Sequence, residues 1–200
     1  MAVDDNFPAF AHILELQLAI ATLAGGDKRP LNGKRAPAAR FTELWQGQIA
    51  FAPLNPTDHR AFVAYLETLD GRVTPFAIQL KAGFASQDVV AAGTLAAAPA
   101  RGVGAISVTF ASAVTLLPGT LIAIGDYTTD TYQVVELLDA VSGSGAQTLN
   151  IAPRIRKGFA SGAPVSLGTV KGVFTLAGDT LAQSAALDHG TVTLDVIEAL

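Results

Sequence analysis

Between Asn55 and Gly71 the chain carries a complete helix signature, bracketed on both sides by stretches whose apolar residues alternate with a period of two. Asn55 can cap the free amides, Pro56 takes the first helical position where no N–H is needed, and Asp58 lies near the positive end of the dipole. Phe62, Tyr65, Leu66 and Leu69 then form one apolar stripe. Asp70-Gly71 supplies the stop, since glycine takes the left-handed conformation without steric cost. Before the helix, Phe41, Trp45, Ile49 and Phe51 share a parity; after it, Phe76, Ile78 and Leu80 do. The expected unit is strand, helix (about 56–70) and strand, with the helix stripe packed on a sheet.

Elsewhere the same alternation recurs in short runs. Phe10 to Leu23 admits two readings. As a strand, Leu14, Leu16, Leu18 and Ile20 face one way, with Glu15 and Gln17 opposite; as a helix, Phe10, Ile13, Leu14 and Leu18 make a stripe. The alternation is the cleaner match and favours the strand. Lys81 to Arg101 is rich in Ala and Gly without periodicity and reads as a connection. Beyond it, strands are expected around Ile106 to Phe110, Leu121 to Ile124, Tyr132 to Val141, Thr148 to Ile151 and Ala163 to Leu167. Turns are expected at Leu116 to Thr120, at Gly125-Asp126, and in a hairpin loop at Ser142-Gly143-Ser144-Gly145. Lys171 to Leu176 and Thr191 to Val196 close the chain as strands.

The 19 glycines and 10 prolines fall between these runs, which suits a mainly β protein with one α-helix. Residues 1–82 and 168–200 are expected to form one β domain, a barrel or sandwich carrying the helix. Residues 83–167 are expected to form a small inserted β-barrel domain with an Ala/Gly-rich connection.

Composition removes several classes of function. Half the residues are hydrophobic (50%) and 15% are charged, so a substantial core is affordable and wholesale disorder is not expected. A net charge of −4 gives no global attraction for nucleic acid, and the absence of cysteine (0) excludes disulfides, thiolate metal sites and cysteine nucleophiles. The first residues are acidic where a secretory signal is basic, and Ile13 to Ala24 is too short and too polar to cross a bilayer. The expectation is a soluble, unexported protein with no membrane partner and no sequence-specific nucleic-acid partner.

No catalytic, cofactor-binding or metal site is expected. The chain lacks Gly-x-Ser-x-Gly, a Walker loop and His-Glu-x-x-His, and Gly102-Val103-Gly104 lacks the third glycine of a dinucleotide fingerprint. His12, His59 and His189 stand singly; His59 is expected on a solvated helix face and His189 in a turn. Glu43, Asp126 and Glu136 fall on different elements, with no spacing that pairs them for hydrolysis. Arg154 and Arg156 make a basic spot without the interleaved aromatics of a nucleic-acid surface, and Trp45 reads as core. Lys28, Arg29, Lys34 and Arg35 concentrate in the loop Gly25 to Pro37, which reads either as a solvated hairpin tip or as a contact arm. On the second reading these four are the candidate intersubunit contacts.

Several motifs, taken in order, resemble a family of bacteriophage minor tail proteins. The family is the distal-tail or tail-tip type of phages with long non-contractile tails. The motifs are Trp45-Gln46-Gly47-Gln48-Ile49-Ala50-Phe51 after a polar loop, Pro53-Leu54 leading into Asp58 to Leu66, and Leu69-Asp70-Gly71-Arg72 with Pro75-Phe76. Leu117-Pro118-Gly119-Thr120 with Ile124-Gly125-Asp126, Ile151 to Arg156, Gly162 to Val165, Val173 to Leu176 and Val192 to Leu200 continue the series. The resemblance covers nearly the whole chain from about Phe10. It implies a tail-tube-like β domain with an inserted small β domain. Such subunits form rings of six or three copies at the distal end of the tail tube in the virion, made in the host cytoplasm. The ring joins the tube to the hub and receptor-binding apparatus and leaves an axial channel for DNA ejection. The implied partners are further copies of the chain, the tail tube protein, the hub protein and the tape-measure protein. The alternative from a different class is a β-sandwich module that binds carbohydrate or protein, which needs an exposed aromatic platform.

Overall fold

The structure, a computed structural model, describes residues 3–22, 43–69, 74–80, 92–129, 131–167, 170–177, 182–185 and 190–199. It is mainly β with one helix among the described residues: a curled six-stranded sheet and a closed six-stranded barrel. The strands β1 (Ile13–Thr22), β2 (Glu43–Phe51) and β3 (Phe76–Leu80) open the chain, with helix α1 (Pro56–Thr68) between the last two. Then follow β4 (Ala92–Leu95), β5 (Ala105–Leu116), β6 (Leu121–Gly125), β7 (Tyr132–Leu137), β8 (Val141–Ala152) and β9 (Pro164–Ser166). The last three strands are β10 (Val170–Leu176), β11 (Ala182–Ala185) and β12 (Gly190–Glu198). The sheet runs β1-β2-β12-β10-β3, with β11 also on β12, and the barrel closes as β4-β5-β8-β7-β6-β9. Leu80 and Val170 are direct partners across β3 and β10, so the chain leaves and rejoins the sheet at one place.

The helix forms as its residues dictate. Asn55 Oδ1 accepts the amides of Thr57 (3.0 Å) and Asp58 (2.9 Å), and Asn55 Nδ2 donates to Asp58 Oδ2 at 2.7 Å. Phe62, Leu66 and the C-cap Leu69 are buried against the sheet, and Tyr65 is half-buried beside them. Asp70 and Gly71 lie outside the described residues. Trp45, Ile49 and Phe51 of β2 and Val192, Leu194 and Val196 of β12 fill the same core. The residues before β1 also contribute. Phe7 packs among Phe51, Phe62, Tyr65 and Phe76 with ring centroids 5.6 to 6.1 Å apart, a role no sequence signal assigns it.

Strands β6 and β7 are buried on both faces. Ile122, Ile124, Val135 and Leu137 point into the barrel, while Leu121, Ala123, Tyr132 and Val134 pack on the sheet's core. A strand covered on both sides reads as an unbroken apolar run, as Leu121 to Ile124 does.

Three local expectations are corrected. Ser142 to Gly145 is no hairpin loop: it lies inside β8, with Gly143 opposite Val114 and Gly145 opposite Phe110 across a bulge in β5. Gly143 and Gly145 sit at φ 143° and 74°, so the glycines that look like a turn serve an irregular ladder instead. The strand expected over Tyr132 to Val141 ends at Leu137, and the turn falls at 138–140. The stretch Lys81 to Arg101, expected as a connection, supplies a barrel strand, β4.

Candidate assembly surface

Strand β1 stands at the end of the sheet and, among the described residues, pairs with β2 alone. It is ten residues long, its one charged residue is Glu15, and Leu14 at its start is 69% exposed. Long apolar edge strands lacking charges or prolines are the ones that recruit another strand. The opposite end, β3, is partly occupied: Asp4 bridges it, with Asp4 N donating to Pro75 O and Ala77 N donating to Asp4 O, both at 2.9 Å. The two ends of the sheet are therefore unlike.

Away from the helix the sheet presents an open hollow of about 700 Å³. Gln17, Gln48 and Asp195 form a row across β1, β2 and β12, and Gln46 lies beside it. Gln48 Nε2 donates to Asp195 Oδ1 at 3.1 Å, and Gln17 Nε2 to Glu15 Oε1 at 2.6 Å. Among the described residues no lysine or arginine lines this hollow. At Gly47 the backbone of β1 comes closer than any side chain would permit.

The titratable groups gather between sheet and barrel. The Arg156 guanidinium pairs with Glu198, their side chains 7% and 9% exposed, and Trp45 N donates to Glu198 Oε2 at 3.0 Å. Burial raises the Glu198 carboxyl above its ordinary value, against the opposing pull of Arg156. Farther along, Lys171 Nζ contacts Asp5 Oδ1 (2.6 Å) and the Tyr127 hydroxyl (2.9 Å), and Tyr127 donates to Asp5 Oδ2 at 2.9 Å. The hydrogen bond from Lys171 holds Asp5 below its ordinary value. Burial pushes the Tyr132 phenol up, and its hydroxyl donates to Lys171 O.

The candidate contacts Lys28, Arg29, Lys34 and Arg35 lie outside the described residues, as do Phe41 and His189. Arg156 is corrected from a surface basic spot to an interior ion pair, while Arg154 is exposed. His59 is half-buried rather than solvated, its imidazole so close to Gly190 that an added Cβ would meet the ring at 2.1 Å. The three carboxylates are kept apart. Glu43 Oε2 accepts Arg154 N (2.9 Å), Asp126 caps its own turn through Thr128, and Glu136 borders a cleft of about 180 Å³ beside Leu121. Among the described residues no group of three or more His, Asp or Glu could hold a metal ion, and no helix is long and apolar enough to cross a membrane. Trp45 is core as expected, but its indole also donates to Val134 O at 3.0 Å and ties sheet to barrel.

No known family model matches the chain, and no curated protein matches it.

Proposed function

We propose that this chain is a structural subunit of a bacteriophage tail tip that closes into a ring at the distal end of the tail tube. The observation that carries the reading is the edge of β1, which among the described residues pairs with β2 alone: ten residues with a single charge and Leu14 69% exposed. Such an edge takes up another strand, and a second copy supplies one at every step of assembly. Because the far end of the sheet is differently built, β1 meets a different surface on the next copy. A heterologous contact of this kind gives a ring when the rotation closes. The ordered motifs from Trp45 to the end of β12 support the same reading, as does the hollow of Gln17, Gln46, Gln48 and Asp195. Among the described residues that hollow has no lysine or arginine, and a wall of that kind does not hold phosphates by counterion release, which suits a channel through which DNA must slide.

Electron micrographs of the purified protein at high concentration test the proposal, with sedimentation on the same sample. Annuli of uniform diameter are expected. A protein that stays monomeric at every concentration and binds a glycan, or turns over a small molecule, overturns it.

A further inference from the structure

Units joined by two crossings of the chain ordinarily move against each other unless their interface is large and apolar. Here the interface is apolar at its centre and latched on both flanks. The outward side chains of β6 and β7, Leu121, Ala123, Tyr132 and Val134, are part of the sheet's own core. On one flank, Glu198 at the end of β12 has both carboxylate oxygens engaged, one by Arg156 of the barrel and one by Trp45 N of β2. The segment bearing Arg156 is itself fixed. The fully buried Gln133 donates to Arg154 O and accepts Arg156 N, both at 2.9 Å, and Glu43 of β2 accepts Arg154 N. On the other flank, Lys171 of β10 and Asp5 hold Tyr127, which precedes β7, while Tyr132 donates to Lys171 O.

We propose that sheet and barrel form one rigid, cooperatively unfolding body, with the Arg156–Glu198 pair as the deeper of two latches across a shared core. The two latches use different strands of the sheet, β2 and β12 on one flank and β10 on the other, so rotation about either is blocked by its counterpart. Opening the joint separates a buried ion pair and exposes an apolar seam in a single event. This holds whatever the chain assembles with. A ring subunit built this way passes displacement from sheet to barrel without loss.

Trp45, the single tryptophan, has its indole N–H in the joint and supplies the probe. Hydrogen exchange of that proton is compared by NMR with exchange of the amides of Ile49 in the sheet and Val135 in the barrel, each rate divided by the intrinsic rate of the same group in an unfolded peptide. In the unaltered protein the three are expected to exchange within about threefold of one another, because only global unfolding frees them. Glu198→Ala strands Arg156 and Trp45 N together and is expected to speed the indole proton at least about tenfold relative to the Val135 amide. Should that variant not fold, Lys171→Ala, at the more exposed latch, is read by the same ratio. An indole proton that outpaces both amides more than threefold in the unaltered protein overturns the proposal. So does a ratio unmoved in the folded variants.

Discussion

A Cβ placed on Gly47 would meet the carbonyl oxygen of Gln17, on the neighbouring strand, at 1.8 Å. The obstacle is backbone, which cannot swing aside as a side chain can. Gly47→Ala therefore has to push β1 and β2 apart along their ladder, at a cost of about 1–3 kcal/mol or more. Urea denaturation followed by Trp45 fluorescence reads this as a lower midpoint. An unchanged midpoint would mean that the sheet relaxes freely there.

The Asn55 cap is a local device with a local consequence. Asn55→Ala leaves the amides of Thr57 and Asp58 without their acceptor and is expected to lower stability by about 1 kcal/mol. Asn55→Asp keeps the acceptor and should restore most of the loss. Equal losses in the two variants would show that the cap contributes nothing.

Trp45→Phe conserves an aromatic ring in the core but removes the donor to Val134 O. An acceptor left unpaired in a buried setting costs about 1–3 kcal/mol. Circular dichroism during thermal unfolding should show a lower Tm, and no shift would place that carbonyl in contact with water.

The raised carboxyl of Glu198 gives stability a particular pH dependence. The folded state holds that proton more tightly than the unfolded chain does. The associated stability is therefore fully present below the ordinary carboxylate value and is lost as pH rises through the raised one. Asp5, lowered by Lys171, works oppositely: its contribution is present above the ordinary value and lost as pH falls through the lowered one. The unaltered protein should accordingly lose stability relative to Glu198→Gln as pH climbs through that window. A difference constant with pH would remove Glu198 as its source.

Leu14 touches little within its own chain, so Leu14→Lys should alter monomer stability by no more than about 0.5 kcal/mol. A charge at the start of the β1 edge opposes strand pairing. Sedimentation should then show assembly lost with the fold intact, and assembly at unaltered strength would direct attention to another surface.

What could be read from the chain and what could not divide along a physical line. The α1 helix was legible because its cap and apolar stripe are local, and β12 because Val192, Leu194 and Val196 alternate into one core. β4 was not legible, since its space is filled from the adjacent strand. A Cβ on Gly93 would meet Val108 Cγ1 at 2.7 Å, so the position must be small and shows no apolar pattern. Arg156 reads as a surface cation because its partner is 42 residues away, and nothing near either residue announces the pair. The β1 strand was legible from its alternation, whereas its having β2 as sole neighbour among the described residues is a property of topology alone.

Since Leu80 and Val170 are cross-strand partners, the two cut points of the barrel excursion sit about 5 Å apart. A tight hairpin could join them, or any foreign domain whose own termini come equally near, without re-threading the sheet. Connectivity would thus be the easy part of such a transplant. The harder requirement is chemical: the newcomer has to bring a cation for Glu198 and a greasy flank for the strands it lands on.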